Sequence, residues 1–116
     1  MARQKLLTVL KRGPLTTTEC ATVFRAMADP TRLRIIETLF AQPMCVSELC
    51  AALSIEQHFA SRHLAVLRHA DLVVATRDAQ RVIYRLHPDV HEELSASKPT
   101  LDLGCCEIQF NIKKTP

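Results

Sequence analysis

Apolar residues recur along this chain at two different periods, and the change of period divides it. Leu6, Leu7, Val9 and Leu10 predict a short amphipathic helix, broken at Gly13-Pro14. Thr16, Thr17 and Thr18 offer an N-cap for a helix through Met27, with Cys20, Phe24 and Met27 along one stripe. Asp29-Pro30 reads as cap and first-turn proline of the next helix, where Leu33, Ile36, Leu39 and Phe40 repeat at helical spacing until Gln42-Pro43. A third helix is expected from Val46 to Leu53, with Leu49 and Leu53 inward. Ser54 is then expected to cap a longer fourth helix, whose Phe59, Leu64, Leu67 and Leu72 face the core. After Leu72 the period shortens. The runs Leu72–Thr76 and Arg81–Leu86 flank Asp78-Ala79-Gln80 and predict a hairpin. Pro88 opens another helix carrying Val90 and Leu94, which Pro99 ends. Ile108, Phe110 and Ile112 alternate as in a strand, expected to pair with another chain. This order predicts a mainly α chain with a small β-hairpin (α+β), a winged helix-turn-helix. Residues 1–15 form an N-terminal arm, 16–97 the DNA-binding and dimerisation domain, and 98–116 a cysteine-containing tail.

Composition narrows the function classes. The 116 residues, 47% hydrophobic and 23% charged, give room for one ordinary core. No apolar run reaches the roughly 18 residues of a membrane span, and the N-terminus lacks a secretory signal, so a cytoplasmic location is expected. The net charge of +3 is unevenly placed. Arg3, Lys5, Lys11 and Arg12 stand among the first twelve residues without an acid, and Arg62, Arg68, Arg77, Arg81 and Arg85 face only Asp71 and Asp78 over residues 57–85. Arginines interleaved with His58, His63 and His69 suit a phosphate-contacting surface. A merely solvated charged face would carry a similar pattern.

Two short helices joined by a tight turn at Leu53-Ser54-Ile55 make a helix-turn-helix, and its second helix is rich in basic and polar side chains. That helix presents Gln57, His58, Ser61, Arg62 and His63 as candidate DNA contacts. Glutamine can bond an adenine edge bidentately and arginine a guanine edge. Arg77 and Arg81, on the two arms of the hairpin, are placed to lay cations against the DNA backbone or minor groove.

The runs ADPTRLRIIETL (28–39), MCVSELCAAL (44–53), SIEQHFASRHLAVLRHADLV (54–73) and RVIYRL (81–86) resemble the ArsR/SmtB family of metal-sensing repressors. The resemblance implies a dimeric winged helix that occupies operator DNA when metal-free and lets go when a metal or metalloid binds. It implies a recognition helix over Glu56–His69 and a wing over Val73–Leu86. His58 stands where the family often has proline, and Asp71 and Asp78-Ala79-Gln80 replace frequent glycines.

Five cysteines in so small a chain, with no export signal, point to metal or redox chemistry rather than a disulfide framework. Thiolates select soft ions: As(III), Sb(III), Cd(II), Pb(II), Zn(II) or Cu(I), and three of them suit a trivalent metalloid. Adjacent Cys105 and Cys106, behind Gly104, can both turn toward one ion. By resemblance Cys45 occupies the first cysteine of the family's metal-binding box, with Ser47 in place of the second and Glu48 matching the acid. The expected ligand set is therefore Cys105, Cys106 and Cys45, with As(III) the first choice of inducer. Cys50, about 140° further round the helix, is open between ligand and core filler, and Cys20 is expected in the core. Asp89 and His91 resemble half of the family's interfacial zinc site, whose distal half is absent. Two further readings stay open: a thiol-oxidation sensor on the same scaffold, and an enzyme. No Cys-x-x-Cys, glycine-rich loop or Ser-His-Asp arrangement supports the enzyme.

Overall fold

The computed structural model describes residues 16–87, 100–102 and 107–110. The expected N-terminal helix, the helix from Pro88, and residues Cys105, Cys106 and Ile112 lie outside the described residues.

Local caps set the helix boundaries. Helix α1 (Thr17–Met27) begins at Thr16, whose hydroxyl accepts from the Glu19 amide while the Glu19 carboxylate accepts from the Thr16 amide at 2.8 Å. Helix α2 (Pro30–Ala41) begins at Asp29, whose carboxylate accepts from the Thr31 and Arg32 amides at 2.9 and 3.1 Å. Proline at its first position lacks only a donor that would have been orphaned. The extended backbone at Gln42 ends it. Strand β1 (Met44–Cys45) follows, then α3 (Val46–Leu53) and α4 (Gln57–His69).

Between α3 and α4, Ser54 does not cap the second helix as its residue type predicts. It closes the first in the left-handed region, at φ 57°, and Glu56 takes the N-cap position of α4. The Ile55 amide returns to the Cys50 carbonyl at 3.2 Å, and Arg34 donates to the Leu53 carbonyl at 3.3 Å, tying the turn to α2.

Strands β2 (Val73–Asp78) and β3 (Arg81–Leu86) form an antiparallel hairpin from Val73↔Leu86 to Asp78↔Arg81, closed by Ala79-Gln80. Ala79 has φ 61° and Asp71 also φ 61°, in the left-handed region that favours glycine. The two-residue β1, too short to show an alternation, adds to the far side of β3 through Met44↔Tyr84 and Cys45↔Ile83. The tail pairs within this chain: β4 (Thr100–Asp102) lies antiparallel to β5 (Glu107–Gln109).

One apolar cluster joins Cys20, Val23, Ala26 and Met27 of α1 to Ile35, Ile36, Leu39 and Phe40 of α2, Leu49 and Leu53 of α3, and Leu64 and Leu67 of α4. Phe110 carries the tail into it, edge-on to Phe40 with centroids 5.2 Å apart. Two stripe assignments are corrected. Phe24 is 41% exposed, its place inside taken by Val23, and Phe59 is 42% exposed, with Ala60 inside instead. Among the described residues no helix is long and apolar enough to cross a membrane.

Candidate nucleic-acid interface and cysteine sites

Burying Ala60, Leu64 and Leu67 fixes the rotation of α4 and turns its opposite face outward. Gln57, His58, Ser61 and Arg62 all lie exposed on the first turns of that helix, and Arg68 is exposed near its end. The N-terminal residues of a recognition helix are the ones that reach base edges. Beside it the hairpin carries Arg77 and Arg81, both exposed.

Two of the predicted contacts have partners within the chain. The His63 side chain is 14% exposed; its Nδ1 lies 3.1 Å from an Arg32 guanidinium nitrogen and 3.9 Å from the Asp29 carboxylate. Arginine only donates, so Nδ1 is the accepting atom in this contact. Phe59 packs edge-on to the same ring at 4.6 Å. Arg32 also donates to the carbonyls of Ala26 and Arg25, so it clamps the end of α1 to α4. Lying one turn below Phe59, His63 packs between the α4 surface and the Arg32 clamp. No signal in the sequence marked Arg32 for this role.

Arg81 is the second. Its guanidinium lies 3.2 Å from the Glu48 carboxylate and 3.4 Å from the Cys45 sulfur. Cys45 sits at the N-terminal cap of α3, where the Glu48 carboxylate accepts from its amide at 2.9 Å and the Ser47 hydroxyl lies 3.2 Å from its sulfur. The Ser47 hydrogen bond, then the Arg81 guanidinium, holds the Cys45 thiol below its ordinary pKa. The thiolate thus stabilised is accompanied by a cation and not by another soft donor. Among the described residues, no three His, Cys, Asp or Glu side chains converge on a point that could hold a metal ion.

The other described cysteines differ from it and from each other. Cys45 and Cys50 are free thiols, both half-buried. Cys20 is 5% exposed, as expected of a core residue, but it is also disulfide-bonded, where the cysteines were expected to serve metal or redox chemistry rather than a disulfide framework.

Four helices on one apolar core, the last two joined by a left-handed turn, and a hairpin beside the exposed helix define a winged helix-turn-helix. The profile described as "Bacterial regulatory protein, arsR family" matches residues 29–74, from the cap of α2 to the first residues of the wing. HlyU from Vibrio cholerae superposes with a TM-score of 0.61 at 32% identity, over 68% of this chain and 87% of that one. The chain belongs to the ArsR family. It is 43% identical over 75 residues to the arsenic resistance transcriptional regulator ArsR1 of Pseudomonas putida, which covers 64% of this chain. The chain spans 59% of the length of that regulator and about half of that of another curated relative. A homodimeric winged helix-turn-helix domain from Mycobacterium bovis, a possible ArsR-family regulator, matches with a TM-score of 0.62 at 29% identity, over 67% of this chain and 73% of that one.

Proposed function

We propose that this protein is a homodimeric transcriptional repressor that binds operator DNA through α4 and the hairpin and releases it when a thiophilic metal or metalloid ion binds, As(III) first. The observation that carries the reading is the outward row of Gln57, His58, Ser61 and Arg62 at the start of α4, beside an arginine-bearing wing. The homodimeric Mycobacterium bovis neighbour supports pairing of two such units. Two recognition helices would then enter successive major grooves about one helical turn apart. The arsenic resistance regulator of Pseudomonas putida supports the choice of ion.

The inducer is held by Cys105 and Cys106 of the tail. An ion shifts the DNA equilibrium only by its differential affinity for the two states. The tail can supply that difference because Phe110 seats it on the same core that orients α4. Cd(II), Pb(II), Zn(II), Sb(III) and Cu(I) are the competing ions. The test is selection of a binding site from random duplex DNA, followed by gel shifts with arsenite and each competitor. Arg62→Ala is expected to weaken binding and relax preference at one base pair, by about 1–3 kcal/mol. Unchanged binding by Arg62→Ala and Gln57→Ala together would remove α4 as the reader.

The disulfide at Cys20 favours a second reading, in which hydrogen peroxide oxidises two thiols to a disulfide and is reduced to water. Release of DNA by peroxide but not by arsenite in the reduced protein selects it.

A further inference from the structure

Helices α1 and α4 pack together, and a groove of about 400 Å³ lies between them. Thr22, Arg25 and Ala26 line it from α1, Val66 and His69 from α4, and Ala70 from the cap of α4. That volume is within the range of small-molecule sites. Ala26 and Ala70 are buried, at 4% and 2% exposure, while Val66 keeps 38% of its surface in solvent. The Thr22 hydroxyl donates to the Thr18 carbonyl at 3.1 Å, so its proton is already engaged. The apolar part of the groove is thus aliphatic, with no aromatic ring to stack on.

The polar part has one sign. Arg25 and His69 are both exposed, and no Asp or Glu lines the groove. Among the described residues neither side chain enters a hydrogen bond or an ion pair; Arg25 contributes only its carbonyl, to Arg32 at 3.3 Å. Cations near helix C-termini also suit the helix dipole. Here, however, two such side chains come from different helices and flank a single aliphatic surface.

We propose that this groove binds a small monocarboxylate with a compact aliphatic body. The carboxylate pairs with Arg25 and accepts from a ring N–H of His69, and the body covers Ala26, Val66 and Ala70. The guanidinium fork fits carboxylate and phosphate alike, so the aliphatic surface makes the choice between them. An ion pair at an exposed arginine is weak by itself; affinity therefore needs both ends of the ligand.

The place of the groove gives a bound ligand a structural lever. Arg32 donates to the carbonyls of Arg25 and Ala26, two of the lining residues, and bonds His63 one turn before Val66. An occupant rests against the joint that fixes α1 to the helix bearing Gln57, His58, Ser61 and Arg62. No lining residue is a cysteine, so this site is separate from the thiol chemistry and does not depend on the repressor reading.

The test is a titration of the full chain, free of DNA, followed by amide nitrogen–proton NMR. Cyclohexanecarboxylate is the probe, compared with cyclohexanecarboxamide, acetate and inorganic phosphate. Saturable shifts at the amides of Ala26, Val66, His69 and Ala70 are expected with the probe, at concentrations about tenfold lower than with the amide or acetate. Arg25→Gln spares the clamp, which uses the Arg25 carbonyl, and should weaken binding about tenfold. Val66→Glu sets an acid on the wall of the groove at an exposed position and should abolish binding. Thermal unfolding checks that both variants are folded; if Val66→Glu is not, Arg25→Gln decides. Shifts confined to other residues, or binding by Arg25→Gln equal to that of the parent, would overturn the proposal. Equal binding by the amide would leave the cations without a role and overturn it too. Phosphate moving the same amides as strongly as the probe would assign the cations to a phosphate backbone instead.

Discussion

At the residue scale, two side chains carry costs or charges that the family pattern alone does not show. Ala79 occupies the hairpin turn at φ 61°. A non-glycine residue in the left-handed region costs about 1–2 kcal/mol, part of which glycine gives back through the unfolded chain. Ala79→Gly is therefore expected to stabilise the fold by about 0.5–1 kcal/mol, visible as a rise of a few degrees in the unfolding temperature. An unchanged or lowered transition would mean that the turn relaxes in solution. Cys45 makes the second prediction. Its thiol is held down by Ser47 and Arg81, so its alkylation should proceed at lower pH than that of a free cysteine. Arg81→Ala should move the pH midpoint of that reaction upward, measured by alkylation and peptide mapping. A midpoint that does not move would place Arg81 elsewhere, free for DNA.

At the scale of elements, the caps explain both what the sequence made legible and where it misled. Thr16 with Glu19, and Asp29 before Pro30, are local signals, so α1 and α2 begin where their residues predict. Ser54 is also a good N-cap type, but its left-handed φ serves the end of α3, a demand set by the angle between two helices. Phe24 and Phe59 are apolar at helical spacing and still exposed, because Val23 and Ala60 lie one position away and pack closer. Strand β1 was invisible because two residues carry no period, and its pairing with β3 is set by tertiary contact. The cap of α2 yields a pH prediction. Desolvation works to raise the Asp29 carboxyl, but the Arg32 amide, the charge His63 carries when protonated and the Thr31 amide outweigh it. Together with Arg32 they hold it below its ordinary value of 3.8. A depressed folded pKa means stability present above that value and lost as pH falls through the folded one. Asp29→Ala should cost about 1 kcal/mol at neutral pH, with the difference from the parent shrinking below pH 3.8. Denaturant unfolding at a series of pH values measures it; a constant difference down to strong acid would contradict the cap.

At the scale of the molecule, one core serves two surfaces. Ala60, Leu64 and Leu67 set the face that α4 turns outward, and the contact of Phe110 with Phe40 ties the described end of the tail to that same core. The outward face of α4 was largely legible, since exposed polar residues alternate with buried ones at a helical period. The partners of His63 and Arg81, Arg32 and Glu48, were not legible because they come from elements distant in the sequence or across the sheet. The thiol site was legible only as a set of soft donors. The central claim, that a thiophilic ion and DNA compete through this core, is tested most directly by fluorescence anisotropy. The phosphine-reduced full chain is bound to a duplex obtained by selection and titrated with arsenite. A fall in DNA affinity of roughly 5–150-fold is expected, reversed when a competing dithiol removes the arsenic. Affinity unchanged at saturating arsenite, with the protein folded and DNA-bound, would contradict it.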